Sequence, residues 1–294
     1  MDTLRQILPE PLWRAMDQVP LEHVYEIRLR ANAPVTISIS GKTFTLDTPP
    51  VTRIDLDNIV HKAADYAIYA VLDQMRQGFI TICGGIRLGL AGELVTEQGV
   101  VTAIKNVSSL CIRLPHQVAD CAYPVLPYVF GETRPYTTLV VAPPGAGKTT
   151  LLRDLAVQIS AKYPGLNTLV LDERGELAAC HLGEPQLDVG AFSDVITGGS
   201  KQYGFVNGLR SLRPDCVITD EIATADDAAM IASATRSGVV VLASVHAADL
   251  NELRQKPDLG ELVAAGVFER YVVLQLGDSA GEVVGVYDRS LRRL

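Results

Sequence analysis

The most informative stretch of the sequence is TTLVVAPPGAGKTTLLRD, at residues 137–154. The apolar, β-branched run at 139–141 predicts a buried strand, and it precedes a loop of proline and glycine, a lysine, two threonines and a helical pattern. A phosphate-binding loop requires this order, because its glycines let backbone N–H groups surround phosphate oxygens where a helix begins. The predicted nucleotide-binding residues are Pro144, Gly145, Ala146, Gly147, Lys148, Thr149 and Thr150.

Two side chains of this loop have specific expected roles. Lys148 is expected to reach the β- and γ-phosphates of ATP, and the hydroxyl of Thr149 is expected to bind Mg²⁺. Ala142 stands where such loops usually have their first glycine. A chance Gly-Pro turn before a helix is the alternative, and the strand before the loop and the helix after it argue against that alternative.

The bulk composition narrows the class of protein. The 294 residues suffice for one large or two modest domains, and 48% hydrophobic with 20% charged residues is typical of a globular chain. A net charge of −8 argues against a protein that binds nucleic acid over its whole surface. Five scattered cysteines without a CxxC pair favour buried free thiols in a reducing compartment.

The hydropathy pattern bears on localisation. No apolar run approaches the roughly 18–20 residues that span a bilayer, and the N-terminal residues predict a short amphipathic helix, not a signal peptide. We therefore expect a cytoplasmic protein whose membrane contact is peripheral or made through a partner.

Residues 1–130 predict a smaller α+β domain with a mostly antiparallel sheet. A helix is expected over 55–77, from apolar residues at helical spacing. Strands are expected at 24–30, 35–40, 43–47, 79–83, 87–95, 100–105 and 108–114, with a hairpin joining the second and third. The proline-rich segment 122–135 marks the expected domain boundary.

Four arginines of this domain are candidate functional residues. Arg28 and Arg30 are two apart and so share one face of a strand, whereas Arg87 and Arg113 lie on other predicted strands. Exposed charges usually only face solvent. The alternative is that one or more of these arginines reaches the triphosphate of a neighbouring subunit as an arginine finger.

Residues 131–294 predict an α/β domain with a parallel sheet between helices, because strands and helices alternate. Strands are expected at 139–141, 168–172, 216–220 and 239–244, helices at 149–162, 205–212 and 224–236, and a closing hairpin at 270–276 and 282–288. Thr224 and Asp227 have the spacing of a capping box. Ligands of such sheets bind at the carboxyl ends of the strands.

Acidic residues follow two of these strands. In CVITDE (216–221), Asp220 is expected to orient Mg²⁺ and Glu221 to polarise the water that attacks the γ-phosphate. In LDERGE (171–176), the acids either cap a helix in solvent or form a second carboxylate cluster at the nucleotide. The choice of base remains open between Glu221 and Glu173.

A histidine and two arginines complete the candidates. His246 follows another strand, where it is either a structural hydrogen-bonding residue or a group that senses the γ-phosphate or orients a water. Arg210 and Arg213 are three apart on a predicted helical face, where they neutralise phosphate, face a neighbour or form an ordinary surface pair.

With these residues in view, the chain resembles the stage III sporulation protein AA family, which is similar to the ring-forming ATPases of type II and type IV secretion systems. The resemblance covers nearly the whole chain. It rests on EIRLR (26–30), GFIT-CGG-R-G-AGE (78–93), IKNVSSLCIRL (104–114), PPGAGKTTLLRD (143–154), LDERGE (171–176), PQLDVG (185–190), SLRPDCVITDEI (211–222) and SVHA (244–247).

The resemblance implies a RecA-like P-loop ATPase domain after the smaller α+β domain, with ATP and Mg²⁺ as ligands. Glu173, Glu176 and Glu221 match the acidic catalytic boxes of secretion motors, and His246 matches their histidine box. Gly175 stands where a serine is expected. The implied protein is a homo-oligomer, expected as a hexamer, on the mother-cell side of the forespore, where it energises a channel and docks on a membrane-anchored partner.

Three other functions remain open at this stage. PPGAGK also occurs in nucleoside monophosphate kinases, although the chain lacks an evident arginine-rich lid. A nucleic-acid translocase could use the same core, although no basic and aromatic stretch supports it. A nucleotide-gated scaffold with little turnover would leave no signature in the residues.

Overall fold

The computed structural model describes residues 2–16, 19–39, 41–277 and 281–294. The chain forms two compact units, the first made of Met1–His116 with Ala179–Leu187 and the second of Gln117–Ala178 with Asp188–Leu294. This division differs from the expected one at residue 130. It falls earlier in the chain, and a segment from the second half joins the first unit.

The first unit contains an antiparallel sheet and short helices. The helices are α1 (Asp2–Ile7), α2 (Glu10–Met16), α3 (Arg53–Ala63) and α4 (Leu72–Arg76), and the strands are β1 (Val24–Arg30), β2 (Thr36–Ile39), β3 (Lys42–Thr45), β4 (Phe79–Ile82), β5 (Ile86–Glu97) and β6 (Val100–Arg113). The order across the sheet is β3-β2-β1-β6-β5-β4, and neighbours are antiparallel. The predicted α+β class is confirmed, and so is the β2–β3 hairpin, although Ser40 of its connection lies outside the described residues.

Alternation along the strands places the core on one face of this sheet. Ile27 and Leu29 of β1 are fully buried, as are Leu88 of β5 and Ile112 of β6. Residues between them point to the opposite face, because successive side chains of a strand alternate. Helix α3 contributes Leu56 and other apolar residues to the same core.

The single long helix predicted over 55–77 is wrong. Helix α3 ends at Ala63, since Asp65 (φ 48°) and Tyr66 (φ 57°) adopt left-handed backbone conformations that a helix cannot include. Tyr66, one of the apolar residues whose spacing suggested that helix, is 74% exposed. A 3₁₀ turn and α4 follow instead.

The short strands predicted after residue 86 are also wrong in extent. They form two long paired strands, β5 and β6, joined through Gln98 and Gly99, both with positive φ. Asn106 (φ 50°) lies within β6, close to a register shift against β5, and the strand continues past it. A bulge of this kind lets one strand continue where the sequence pattern suggests two.

The segment 179–187 packs against the β4–β5 turn of the first unit. His181 donates from Nδ1 to the main-chain oxygen of Thr81 at 3.1 Å, and Oε1 of Gln186 accepts from the amide of Gly84 at 2.7 Å. A Cβ on Gly85 would lie 2.8 Å from Cβ of Ala179, so glycine is required for this approach. Nothing in the local pattern of this segment predicted these contacts.

The second unit is a mostly parallel sheet with helices. Its helices are α5 (Leu126–Val129), α6 (Lys148–Lys162), α7 (Lys201–Leu212), α8 (Ala225–Arg236), α9 (Leu250–Gln255) and α10 (Pro257–Ala264), and its strands are β7 (Thr138–Ala142), β8 (Thr168–Asp172), β9 (Ser193–Thr197), β10 (Cys216–Glu221), β11 (Val240–His246), β12 (Arg270–Gln275) and β13 (Glu282–Asp288). The order is β13-β12-β7-β11-β10-β8-β9, with β13 antiparallel to β12 and the other pairs parallel. Strand β9 and helices α9 and α10 were not predicted.

The central strands β7, β8, β10 and β11 carry nearly continuous buried apolar runs. Such runs are typical of parallel strands covered on both faces. The capping box of Thr224 and Asp227 forms as predicted at the start of α8. Arg213 is not on a helical face with Arg210, because it follows α7 with φ 49°.

Two further features concern membrane-spanning helices and thiols. Among the described residues, no helix combines the length and the apolar character needed to cross a bilayer. All five cysteines are free thiols, but the expectation that they are buried holds only for Cys216, and Cys83 is exposed.

Candidate active site

The loop between β7 and α6 has the backbone that a phosphate-binding loop needs. Gly145 (φ 79°) and Gly147 (φ 89°) both occupy the left-handed region, which favours glycine. Gly147 is the N-cap of α6, and among the residues that the structure describes no side chain caps this helix. Ala142 is the last residue of β7, paired with His246, and its φ is not positive, so a Cβ is tolerated there.

Lys148 begins α6 and is buried. Its Nζ donates to the main-chain oxygen of Pro143 at 3.1 Å and contacts Nδ1 of His246 at 2.8 Å. Burial lowers the pKa of Lys148, while the charges of Asp220 and Glu221 oppose that shift. The lysine therefore lies at the loop, close to neighbouring acids.

His246 connects Lys148 to Glu221. An ammonium group has only donors, so Nδ1 of His246 accepts from Lys148 and the ring proton is on Nε2. Nε2 donates to Oε2 of Glu221 at 3.2 Å, and the same oxygen accepts from Arg174 at 3.1 Å. The four side chains thus form a connected path from the phosphate loop to the end of β10.

Asp220 faces the start of α6. The hydroxyl of Thr149 donates to Oδ1 of Asp220 at 3.3 Å, and Ser244 of β11 donates to the same oxygen at 3.4 Å. Burial raises the pKa of the Asp220 carboxyl to about 6, with further contributions from the negative charges of Glu176 and Asp172. Negative charge at this strand end is therefore not fully compensated by the protein.

The donor set fits Mg²⁺, which prefers oxygen ligands and retains waters. One carboxylate, Asp220, lies against one hydroxyl, Thr149, and the raised pKa of Asp220 marks a place where a divalent cation would be stabilised. Over the described ranges, no three acidic, histidine or cysteine side chains converge on a metal-sized site. Phosphate oxygens and water would therefore have to supply the remaining ligands.

The acidic loop after β8 is built around Asp172. This buried carboxylate accepts the amides of Glu176, Leu177 and Ala178 at 2.8–3.0 Å. Buried Arg153 of α6 donates to the main-chain oxygens of Glu176 and Leu177 at 2.7 and 2.6 Å. The two residues together hold the loop in place beside α6.

Glu173 and Glu176 are the exposed acids of this loop. Oε1 of Glu173 accepts a hydrogen bond at 3.4 Å from the amide of Lys201, in the first turn of α7. This contact agrees with the alternative in which an acid of this loop caps a helix. Gly175 has φ 67°, a conformation that would strain the expected serine. The catalytic roles of Glu173 and Glu221 remain predictions.

A cleft of about 290 Å³ opens beside Glu221. Its lining is strongly charged and includes Glu173, Arg174, Lys201, Asp220, Glu221 and Asp226. Acids predominate, so a cationic group is the natural complement of this cleft.

The four candidate arginines share one face of the first unit's sheet. In the strand register, Arg113 of β6 lies opposite Glu26 of β1 and Arg87 of β5. Arg28 and Arg30 lie on the same face of β1 as Glu26, because alternate residues of a strand share a face. Glu26 forms ion pairs with Arg28 and, at 3.8 Å, with Arg113.

Contacts with uncharged groups are also present at the other two arginines. Arg30 contacts the hydroxyl of Thr36 at 3.4 Å, and the guanidinium of Arg87 lies 3.7 Å from the ring centre of Phe79. The face thus carries these four arginines, two of which pair with Glu26. Their action on a neighbour's nucleotide remains a prediction.

Sequence reasoning missed several residues that shape the site. These are Arg153, Arg174, Lys201 and Ser244, whereas Asp172 was considered only as one of the acids of LDERGE and Asp227 only as a capping residue. Asp172 and Arg174 lie within the recognised LDERGE motif, and Ser244 within SVHA, so proximity to a motif was a usable signal. Lys201 had none, because its partners are 20 and 26 positions away in the chain.

Comparison with solved structures defines the class. The ATPase DotB of Legionella pneumophila aligns with 98% of this chain and 80% of its own at a TM-score of 0.59 and 11% identity. The pilus retraction motor PilT, solved with ADP, aligns with 89% of this chain and 76% of its own at a TM-score of 0.58 and 13% identity. The chain therefore has the RecA-like P-loop fold of the secretion ATPases, preceded by an antiparallel-sheet domain.

Comparison of sequences identifies the family. The model of the family described as "Sporulation stage III, protein AA" matches residues 2–294. Stage III sporulation protein AA of Bacillus subtilis is 33% identical over 295 aligned positions, which cover 98% of this chain and 95% of that protein. The chain belongs to the stage III sporulation protein AA family, as its motifs predicted.

Proposed function

We propose that this protein is an ATP-hydrolysing, oligomeric motor of a sporulation channel complex. One observation carries the proposal. The phosphate-type loop, the metal-type pair of Thr149 and Asp220, and Glu221 meet at the carboxyl ends of β7, β10 and β11. Ligands of open α/β sheets bind at this edge.

Binding of ATP follows from the loop. The uncapped amides of α6 and the glycine backbone at 145 and 147 receive phosphate oxygens. Lys148 gives up its hydrogen bonds to His246 and to the main-chain oxygen of Pro143 and binds the phosphates instead. Thr149 and Asp220 would hold Mg²⁺, which would supply positive charge to neutralise the phosphates.

Hydrolysis transfers the γ-phosphoryl group to water and releases ADP and phosphate. Glu221 accepts a hydrogen bond from that water and orients it. In the structure this carboxylate is engaged by Arg174 and His246, so it has to exchange at least one of these donors for the water. When Lys148 binds phosphate, it loses its hydrogen bond to His246. This loss links phosphate binding to the release of the Glu221 carboxylate by His246.

The arginines of the first unit act in trans in this proposal. Four cations on one sheet face complement the acidic cleft beside Glu221 and the charge of a triphosphate. An arginine finger contributes roughly 10³ to 10⁵ in rate where GTPases use one. Wild-type turnover in alanine variants of Arg28, Arg30, Arg87 and Arg113 would remove this part of the proposal.

The wider setting of the proposal comes from the family and the fold. The chain acts as a homo-oligomer, a hexamer in our proposal, in the cytoplasm of the mother cell, and a membrane-anchored channel protein recruits it. A protein of the same fold is a pilus retraction motor solved with ADP, which supports a motor role.

The decisive experiment measures ATP turnover against protein concentration, with molecular mass measured in parallel. Wild type is compared with Glu221→Gln and with the control Glu132→Gln, which alters an exposed glutamate of the same unit. We expect turnover per chain to rise as oligomers form, to vanish in Glu221→Gln and to persist in Glu132→Gln. Equal turnover in Glu221→Gln and wild type would contradict the assigned base and direct attention to Glu173.

A nucleotide-gated scaffold is the second candidate. The observation that favours it is the double engagement of the Glu221 carboxylate by Arg174 and His246, which keeps the base occupied. In that case ATP drives assembly with equal strength in wild type and Glu221→Gln, and turnover is low at every protein concentration. DNA-stimulated turnover would instead indicate a nucleic-acid translocase.

A further inference from the structure

Lys201 is a partly buried cation that the proposed mechanism does not use. Its side chain is 10% exposed, although it is the first residue of α7. A positive charge at a helix N-terminus is unfavourable, because the helix dipole is positive there. A charge largely withdrawn from water in such a place requires specific partners to offset its desolvation.

Two partners lie on either side of the turn that follows β10. Nζ of Lys201 donates to the main-chain oxygen of Glu221 and forms an ion pair with Oδ1 of Asp227 at 3.3 Å. The Asp227 side chain is 9% exposed, so the pair is largely shielded from water.

Asp227 carries this connection back into the same turn. Its Oδ2 accepts the amides of Ala223 at 2.9 Å and Thr224 at 3.0 Å. Burial alone would raise the pKa of the Asp227 carboxyl, but these hydrogen bonds and the charge of Lys201 hold that pKa below its usual value. The carboxylate is therefore ionised and bridges Lys201 to the turn.

The turn is also attached to the neighbouring strand. The amide of Ile222 donates to the main-chain oxygen of Ser244 in β11 at 2.8 Å. The polar main-chain groups named for residues 221–224 are therefore held by β11, by Asp227 and by Lys201. Lys201 contacts the first residue of the turn directly and reaches its other end through Asp227.

We propose that Lys201 is a positioning residue, which sets the backbone at Glu221 and so aims the Glu221 carboxylate at the attacking water. The inference rests on the proposed ATPase function. Lys201 acts through the main chain of Glu221, whereas Arg174 and His246 contact the Glu221 side chain. Loss of Lys201 should therefore change the direction of the carboxylate while the phosphate loop remains intact.

The test compares Lys201→Met, which keeps the length and removes the charge, with Lys201→Arg, which keeps the charge. The control is Lys162→Met, which removes an exposed lysine at the other end of α6, about 20 Å from Lys148. Each full-length variant is measured for kcat, for affinity to a fluorescent ATP analogue, and for amide hydrogen exchange over residues 221–224.

We expect kcat of Lys201→Met to fall roughly 10- to 100-fold, since misplacement by about 1 Å can cost a factor of this size. Affinity for the ATP analogue should stay within about threefold of wild type, since Lys201 contacts none of the loop residues that receive phosphate. Exchange should accelerate at 222–224, and Lys201→Arg should restore part of kcat. Lys162→Met should match wild type.

Two results would overturn the inference. One is wild-type kcat in Lys201→Met together with unchanged exchange at 222–224. The other is an equal loss of kcat and affinity with general acceleration of exchange, which indicates that Lys201 only stabilises the fold. If wild type itself does not hydrolyse ATP, the proposed function fails, and unchanged exchange at 222–224 in Lys201→Met then overturns the positioning role separately.

Discussion

Asp220 is expected to destabilise the folded protein in the absence of metal, so Asp220→Asn should be more stable than wild type. Burial, together with the charges of Glu176 and Asp172, raises the pKa of this carboxyl from 3.8 to about 6. A raised carboxyl pKa means that the ionised form is less favourable in the folded chain than in the unfolded chain. The uncharged amide avoids that cost.

The size of the effect follows from the shift. Two pKa units correspond to about 3 kcal/mol at about 1.4 kcal/mol per unit. In Asp220→Asn, the amide oxygen can still accept hydrogen bonds from Thr149 and Ser244. The NH₂ group, however, replaces an oxygen that accepts hydrogen bonds, and this loss offsets about 1 kcal/mol of the gain. The expected net gain in the free energy of unfolding is about 2 kcal/mol at pH 8, or roughly 4–8 °C in Tm for a unit of this size.

The sign of the pH dependence is fixed by the direction of the shift. The cost of the charge is absent below the unfolded pKa near 3.8, grows as pH rises, and is complete above the folded pKa of about 6. The advantage of Asp220→Asn should therefore be largest at pH 8, fall to roughly a third of that value at pH 5 and be lost by pH 4.

Thermal unfolding in EDTA, without nucleotide, measures this advantage at each pH. The control is Asp226→Asn, which removes an exposed carboxylate from the first turn of α8 and should lower stability by less than about 1 kcal/mol. Excess Mg²⁺ and ATP should reverse the order of wild type and Asp220→Asn. A lower Tm of Asp220→Asn in EDTA at pH 8, or a gain that does not vary with pH, would refute the reasoning.

Three further substitutions test the site. Asp172→Asn should lower the free energy of unfolding by about 2–3 kcal/mol in urea denaturation. The Asp172 carboxylate accepts hydrogen bonds from three backbone N–H groups, and a side-chain amide cannot accept all three. An unchanged midpoint would contradict this. Gly147→Ala should weaken binding of a fluorescent ATP analogue at least about tenfold, since φ 89° costs alanine roughly 1–2 kcal/mol, whereas Gly183→Ala, at a left-handed glycine of the first unit, should leave that affinity unchanged. His246→Ala should reduce kcat more than His246→Gln, because glutamine can accept from Lys148 and donate to Glu221; equal losses would argue against the hydrogen-bonded path.

Much of the architecture could be predicted because its determinants are local. The glycines at 145 and 147, the apolar runs of β7 and β10 and the capping box at Thr224 act within a few residues of where they stand in the chain. Parallel pairing of the strands then follows from their alternation with helices, which brings their carboxyl ends to one edge. For these reasons the sequence alone determined that the chain carries a phosphate-type loop with acids at neighbouring strand ends.

The precise contacts of the site depended on the tertiary structure. The bond from Lys148 to His246 spans 98 positions, and the contacts of Lys201 depend on how α7 and α8 pack against the end of β10. The break after α3 at Asp65 is equally invisible to periodicity, since the apolar spacing continues through it. Sequence patterns report which face of an element is apolar, whereas packing of distant elements decides which polar groups meet across it.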